Sequence, residues 1–292
     1  MNNISEVTLS FAGITLAFCL EQPVRLSQRL ADFVVPPCHP ADVRVTVRWE
    51  REFPVRMLEN PLGRDAIQRY YRDDRGLWCE TIGGARGPVA RCLLTPDGRR
   101  LDCSINTAYP TPRDTLDWIL RTLPMRDIFQ KFGVIFLHAA QIVTENRGIV
   151  FTAPSGTGKS TQARLWATYE KALPVCGDRT LLRRGPDGWK SYGYPIDGST
   201  PIARPDAWSL GCLVLLRQGT ANEVERLHGV HAMAPLMEQT ILDVWNTDGC
   251  VRETGMLTAL LNEVPLYRLT CTPDLAAVRC LKQRLREDGI FS

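Results

Sequence analysis

Apolar and polar residues alternate through most of the first 110 residues, and short turns rich in glycine, proline and aspartate separate the alternating stretches. Successive side chains of a strand point to opposite faces, so this alternation predicts β-strands. The turn at 95–100 contains Pro-Asp-Gly and is expected to join strands at 89–94 and 99–107 in a hairpin. Two prolines within 109–115 favour a linker there. The pattern therefore predicts a β-rich N-terminal domain over residues 1–112.

Helical and strand-like patterns mix in the remaining part of the chain. A helix is predicted from a cap at Asp114 or Thr115 to about Phe132, because leucine and isoleucine recur between them at helical spacing. Further apolar patterns predict strands at 134–143, 148–153, 173–184, 210–218 and 222–228, and helices after residue 158 and at 232–248, 252–262 and 273–288. The expected fold class is α+β, with a second domain of helices around a mixed sheet over residues 113–292.

Composition narrows the class of protein. The chain has 292 residues, of which 44% are hydrophobic and 23% charged, the balance of an ordinary soluble globular protein. A net charge of +3 is too small to indicate a nucleic-acid partner. No apolar run approaches the roughly 18 residues of a membrane span. The ten cysteines are scattered without a Cys-x-x-Cys pair, which favours free thiols in a reducing compartment. The cytoplasm is therefore the expected location, without a membrane partner.

One glycine-rich stretch carries recognisable chemistry. Residues 153–160 read Ala-Pro-Ser-Gly-Thr-Gly-Lys-Ser and fit the phosphate-binding P-loop, with alanine in place of the usual first glycine. Gly156 and Gly158 let the backbone curl so that its N–H groups face phosphate oxygens. Lys159 can reach the β- and γ-phosphates, and the Ser160 hydroxyl can bind Mg²⁺. A strand precedes the loop and a helix follows it, as a phosphate site requires. The predicted nucleotide contacts are the consecutive residues Ser155, Gly156, Thr157, Gly158, Lys159, Ser160 and Thr161.

The surroundings of this loop differ from those of an ordinary P-loop NTPase, in which a parallel β-α-β order follows the loop. Here an apparent hairpin precedes it and short strands follow it. His138 lies 21 positions before Lys159, and Asp178 lies 19 positions after it. With the sequence SGTGKS, these residues resemble the catalytic domain of HPr kinase/phosphorylase and, more distantly, phosphoenolpyruvate carboxykinase, over about residues 130–285.

The whole chain is also similar to the HPr-kinase-like proteins encoded beside peptide natural-product genes of the lasso-peptide type. The stretches that carry this similarity are YGYPIDGST, CLVLLRQG and PLYRLTC, at 192–200, 212–219 and 265–271. Some proteins of that group phosphorylate a precursor peptide.

The resemblance implies an ATP-dependent kinase that uses Mg²⁺. It implies that Asp178 acts on the incoming hydroxyl or holds Mg²⁺ together with Ser160, that His138 lies beside the transferring phosphate, and that Lys159 stabilises the charge on that phosphate. The family usually has two consecutive aspartates where this chain has Gly177 and Asp178, so a single carboxylate is left, which can serve as base or as metal ligand but hardly as both at once.

Substrate contacts are expected near residues 193–204. A loop of small hydroxylated residues suits substrate docking beside a phosphate site, which makes Ser199 a candidate. Arg204 is a second candidate because its guanidinium could face phosphate.

The functional hypothesis is transfer of the γ-phosphate of ATP to a hydroxyl, with a serine of a peptide or small protein as acceptor. A kinase of a small alcohol such as free serine is one alternative, and a nucleotide-binding sensor without transfer chemistry is another. The β-rich domain could bind a peptide at a sheet edge or serve in packing or in a homo-oligomer.

Overall fold

A computed structural model describes residues 3–38, 40–51, 61–84, 86–109, 114–196, 202–241 and 245–291. The chain divides into two compact units. The first comprises Met1–Phe132 and Asp243–Gly249, and the second comprises Gly133–Leu242 and Cys250–Ser292. The division at 132/133 lies twenty residues beyond the linker-based boundary at 112/113, so the helices directly after that linker belong to the first unit.

The first unit consists mainly of strands, as the alternating pattern predicts. Its elements are β1 (Asn3–Phe11), β2 (Ile14–Arg25), α1 (Gln28–Ala31), β3 (Val34–Val35), β4 (Val43–Glu50), β5 (Gly63–Arg64), β6 (Gln68–Asp73), β7 (Gly76–Thr81), β8 (Ala90–Leu94), β9 (Arg100–Asn106), α2 (Leu116–Thr122) and α3 (Met125–Lys131).

Among the described residues, nine strands form one sheet in the order β3-β1-β2-β4-β9-β8-β7-β6-β5. Neighbouring strands are antiparallel except β2–β4 and β4–β9, which run parallel. The alternation is clearest in β4, where Val43, Val45 and Val47 are buried and the residues between them are not. The predicted hairpin is confirmed: β8 and β9 pair antiparallel, and Gly98 adopts a positive φ of 74° in their turn.

The helix predicted up to Phe132 is two helices. Thr115 caps the first, since its hydroxyl accepts a hydrogen bond from the backbone N–H of Trp118. That helix ends before Leu123, whose backbone is extended with ψ of 149°. The cause is Pro124, because a proline ring disfavours the helical conformation of the residue before it and supplies no N–H to the helix.

The second unit mixes strands and helices. Its elements are β10 (Val134–Thr144), β11 (Arg147–Thr152), α4 (Lys159–Glu170), β12 (Leu173–Cys176), β13 (Arg179–Gly185), β14 (Gly188–Gly193), β15 (Trp208–Gln218), β16 (Glu223–Leu227), α5 (Val230–Gln239), α6 (Thr247–Glu263), β17 (Leu266–Cys271) and α7 (Leu275–Glu287). The first three residues of α6 belong to the first unit.

The sheet of this unit is mixed, with the strand order β11-β10-β13-β14-β15-β17-β16 and with β12 paired to β10. The predicted hairpin of β10 and β11 is confirmed, and Glu145 and Asn146 turn it with positive φ. β15 runs parallel to both β11 and β17 and also pairs with β14. Strands β10, β11, β13, β14 and β15 thus close into a ring. The carboxyl ends of β11, β15 and β17 point in one direction, which is where the glycine-rich loop leaves β11.

Helices cover both faces of this sheet. Side chains of α4 and α7, among them Trp166 and Leu281, pack on one face against Phe151 of β11. Side chains of α5 and α6, among them Leu236 and Leu260, pack on the other. The long apolar run of β15 follows from this burial on both faces.

Three further predictions of regular elements were wrong in extent. The strand predicted at 173–184 is interrupted at Gly177 and Asp178, and its parts β12 and β13 both pair with β10. The helix predicted at 232–248 ends at Gln239. The next residues leave the helix because the Ile241 N–H donates to the carbonyl of Phe136 in β10, at 2.9 Å. Helix α6 then begins at Thr247, five residues before the predicted start.

The ten cysteines all lie in the described ranges and are free thiols, as their spacing predicts. Within those ranges, no helix has both the length and the apolar content needed to cross a membrane.

The packing of α4 on the sheet gives a test of this core. Trp166 is 1% exposed and lies over Phe151, so Trp166→Ala should lower the free energy of unfolding by about 3–5 kcal/mol, measured by urea unfolding. Tyr169 lies on the same helix and is 50% exposed, so Tyr169→Ala should cost about 0.5 kcal/mol or less. Equal losses in the two variants would contradict the described burial of α4.

Candidate functional site

The glycine-rich loop connects the end of β11 at Thr152 to the start of α4 at Lys159. Gly156 and Gly158 have φ of +80° and +119°, a backbone region that side-chain-bearing residues rarely adopt. A Cβ added at either glycine would meet no described atom within 4 Å. The backbone conformation, rather than crowding, therefore requires glycine at both positions, and the space around both Cα atoms is open.

The N-terminus of α4 is suited to bind an anion. Its N-cap residue is Gly158, and no side chain of the described chain caps it. The first N–H groups of a helix have no partner within the helix, and the helix dipole places partial positive charge there. These two properties make such a terminus a phosphate-binding site.

Lys159 is the first residue of α4 and folds back over the loop. Its Nζ donates to the carbonyl of Ala153 at 2.8 Å and to that of Pro154 at 3.3 Å. The side chain is 6% exposed, and this burial lowers the pKa of the ammonium below its usual value, while the charge of Asp178 acts in the opposite direction. A poorly solvated ammonium thus lies beside the open loop.

His138 and Asp178 form a hydrogen-bonded pair, with 2.9 Å between Nε2 and Oδ1. His138 lies in β10, and Asp178 lies between β12 and β13, both of which pair with β10. The backbone also joins the two positions, because the Ala139 N–H donates to the Asp178 carbonyl at 3.0 Å. Strand pairing thus brings together two residues that are 40 positions apart.

The imidazole of His138 has a lowered pKa. Burial is the largest cause, and the positive charges of Lys159 and Arg179 add to it, whereas Asp178 acts to raise the pKa. A neutral imidazole next to an ionised carboxylate, which only accepts hydrogen bonds, donates from Nε2. The pair is therefore a carboxylate held in place by a neutral histidine.

Two residues beside the loop were missed in the sequence. Gln218, at the end of β15, donates from Nε2 to the carbonyls of Gly156 and Thr157, at 3.4 Å each. Arg179 approaches Asp178 with 3.5 Å between Nη1 and Oδ2. Arg179 could have been found from the sequence, because it directly follows the predicted site residue Asp178. Gln218 was not recognisable, because nothing in the sequence states that β15 runs parallel to β11.

The remaining predicted residues are distributed as follows. The Ser160 hydroxyl lies 3.5 Å from the carbonyl of Gly177, next to Asp178. Thr161 follows it on α4, and Ser155 is exposed in the loop. Arg204 is exposed and donates from Nε to the Pro174 carbonyl at 3.1 Å, so its guanidinium lies against β12. Ser199 lies outside the described residues.

The oxygen atoms near the loop could contribute to a magnesium site in which phosphate and water supply the other ligands. In the described ranges no three histidine, cysteine or carboxylate side chains converge on one point. Mg²⁺ typically uses one or two protein oxygens and completes its shell with phosphate oxygens and water. The Ser160 hydroxyl and the Asp178 carboxylate are oxygens of this kind beside the open loop.

Comparison with known proteins gave matches among solved structures only. No protein-family model matches the chain, and no curated protein sequence matches it. A solved structure of the Hpr(Ser) kinase/phosphatase from Coxiella burnetii aligns with 52% of this chain and 98% of its own, at 13% identity and a TM-score of 0.32. A TM-score of this size does not establish a common fold.

The charges around His138 can be tested by NMR titration of its imidazole. The titration midpoint should fall below 6.5 in the native chain, rise in Lys159→Met, which removes a repelling charge, and fall further in Asp178→Asn. The unfolded chain binds this proton more readily than the folded chain does. Lowering the pH through the range below 6.5 should therefore decrease the free energy of unfolding. A midpoint above 6.5, or no response to Lys159→Met, would contradict this electrostatic description.

Proposed function

We propose that this protein is a kinase that transfers the γ-phosphoryl group of Mg²⁺-ATP to a hydroxyl, with a serine of a peptide or small protein as the acceptor. The observation that carries the proposal is the hydrogen-bonded pair of His138 and Asp178 beside the N-terminus of α4 and the buried ammonium of Lys159. A phosphate-binding loop alone would indicate only nucleotide binding. A carboxylate held next to that loop adds a group that can act on a hydroxyl.

The loop supplies the binding part of the mechanism. The free N–H groups of the loop and of the first turn of α4 bind phosphate oxygens. Lys159 turns from the carbonyls of Ala153 and Pro154 toward the β- and γ-phosphate oxygens, where its charge offsets the charge that develops during transfer. Ser160 and Asp178 would hold Mg²⁺, which would supply further neutralisation of the phosphate charge.

Asp178 supplies the chemical part. Its carboxylate receives a hydrogen bond from the acceptor hydroxyl and takes the proton as the hydroxyl oxygen bonds to the γ-phosphorus. The bond between that phosphorus and the β,γ-bridging oxygen breaks, and ADP leaves. His138 keeps the carboxylate in position through its Nε2 hydrogen bond and adds no charge of its own while neutral.

The single carboxylate of Asp178 can serve as base or as metal ligand, and its two oxygens differ in their contacts. His138 contacts Oδ1 of Asp178, and Arg179 approaches Oδ2. The distance between Nη1 of Arg179 and Oδ2 of Asp178 is 3.5 Å, which is longer than a close charge-assisted hydrogen bond. A metal or a hydroxyl can therefore replace the guanidinium at Oδ2.

Lys159→Ala tests the transfer step. The substitution removes a contact that is strongest in the transition state, so phosphoryl transfer should fall by about 10²-fold or more, measured as the rate of ADP release with acceptor present. Lys171→Asn is the matched control, because it also removes one of the chain's five lysines. Lys171 lies at the opposite end of α4 from the loop, so this substitution should leave the rate unchanged. Transfer at the native rate in Lys159→Ala would refute the proposed role of the loop.

The acceptor class is tested by incubating the native chain with γ-labelled ATP and separate pools of serine-containing peptides and of small alcohols, including free serine. Label in peptides is the expected result. Label only in small alcohols would identify a small-molecule kinase. Tight ATP binding without labelled product in either pool would identify a nucleotide sensor.

A further inference from the structure

A surface cavity of about 490 Å³ lies along one side of α4, next to the glycine-rich loop. The helix contributes Ser160, Thr161, Ala163, Arg164 and Ala167 to its lining. Their spacing places them on one face that begins in the first turn, where phosphate is expected to bind, and extends away from the loop. The cavity therefore continues directly from the proposed phosphate site.

The opposite wall is formed by β12 and the segment after it, with Pro174, Cys176, Gly177 and Ile202. Its polar groups already have partners: the Pro174 carbonyl accepts from Arg204, and the Gly177 carbonyl accepts from Ser160. Burial raises the pKa of the Cys176 thiol to about 11, so the thiol is neutral at pH 7. The wall thus presents an apolar surface to whatever occupies the cavity.

The position of the cavity relative to the reacting groups indicates what it binds. Among its described lining residues are neither Lys159 nor the pair of His138 and Asp178, which mark the γ-phosphate end of the site. In a P-loop the lysine reaches the β- and γ-phosphates, while the loop amides hold the α- and β-phosphates. The cavity touches the reacting end only at Ser160 and Gly177 and extends from Thr161 along α4, so it is the candidate for the part of the nucleotide beyond the α-phosphate.

Arg164 adds a suitable charge at the rim. Its side chain is exposed, and within the described part of the chain its guanidinium has no ion-pair partner. A guanidinium stacks on flat aromatic rings and also attracts phosphate. Small side chains at Ala163 and Ala167 leave room for a flat ring between α4 and β12.

We infer that this cavity binds the nucleoside part of the nucleotide, with the base between the alanine face of α4 and the wall of Pro174 and Ile202, and with Arg164 over the base or the α-phosphate. The inference rests on the proposed function. It adds that the nucleoside lies along α4, in a cavity whose described lining does not include Asp178, which leaves that carboxylate for the acceptor hydroxyl.

The test compares binding of Mg²⁺-ATP and of Mg²⁺-tripolyphosphate, which has the phosphates without the nucleoside, by calorimetry. The native chain should bind ATP more tightly than tripolyphosphate. Ala167→Leu fills the cavity and should weaken ATP binding by about tenfold or more without changing the binding of tripolyphosphate. Thr168→Leu is the matched control, because it adds bulk at the next, exposed position of α4 and should change neither affinity.

Ile202→Ser is a second variant that leaves α4 intact, since Ile202 is 40% exposed and outside the helix. It should weaken ATP binding severalfold and leave tripolyphosphate binding unchanged. The inference is overturned if Ala167→Leu and Ile202→Ser both bind ATP like the native chain, or if they weaken both ligands equally. A native chain that binds neither ligand would instead refute the proposed function, which keeps the two failures distinguishable.

Discussion

The open N-terminus of α4 is the constraint on which the site depends. Two glycines with positive φ bring the chain from β11 into the helix without a capping side chain, so the first N–H groups of α4 remain available. A helix end whose N–H groups lack capping partners must be held in position by contacts of other parts of the helix. The anchor is Trp166 in the third turn of α4, which is fully buried against the β11 side chain Phe151. Core packing thus holds in place a helix start whose own hydrogen bonds are incomplete.

The electrostatic character of the site follows from the same burial. Partial desolvation disfavours charge on both Lys159 and His138, and Asp178 is the group that opposes this effect at each of them. One carboxylate therefore interacts with the ammonium of the loop, the imidazole of β10 and the guanidinium of Arg179. Removing its charge would change the electrostatic environment of all three groups at once.

Sheet topology explains how the site is assembled from distant parts of the chain. β10 contributes His138, the junction between β12 and β13 contributes Asp178, and β15 contributes Gln218. β10 pairs with both β12 and β13, and β15 runs parallel to β11, so the three side chains meet around the loop that leaves β11. Asp178 and the glycine-rich loop are therefore both attached to strands that pair with β10.

Local features were predictable from the sequence: the strand-rich first part, the two hairpins, and the glycine-rich loop between a strand and a helix. These depend on residue type and periodicity within a few positions, which a single sequence contains. The early end of α5 and the pairing of Ile241 with β10 were decided only by tertiary structure. The same holds for the contact of Gln218 with the loop and for the cavity beside α4. The physical reason is that these features require backbone or side-chain partners far away in the chain, and the hydrophobic pattern states which residues are buried but not which residues they meet.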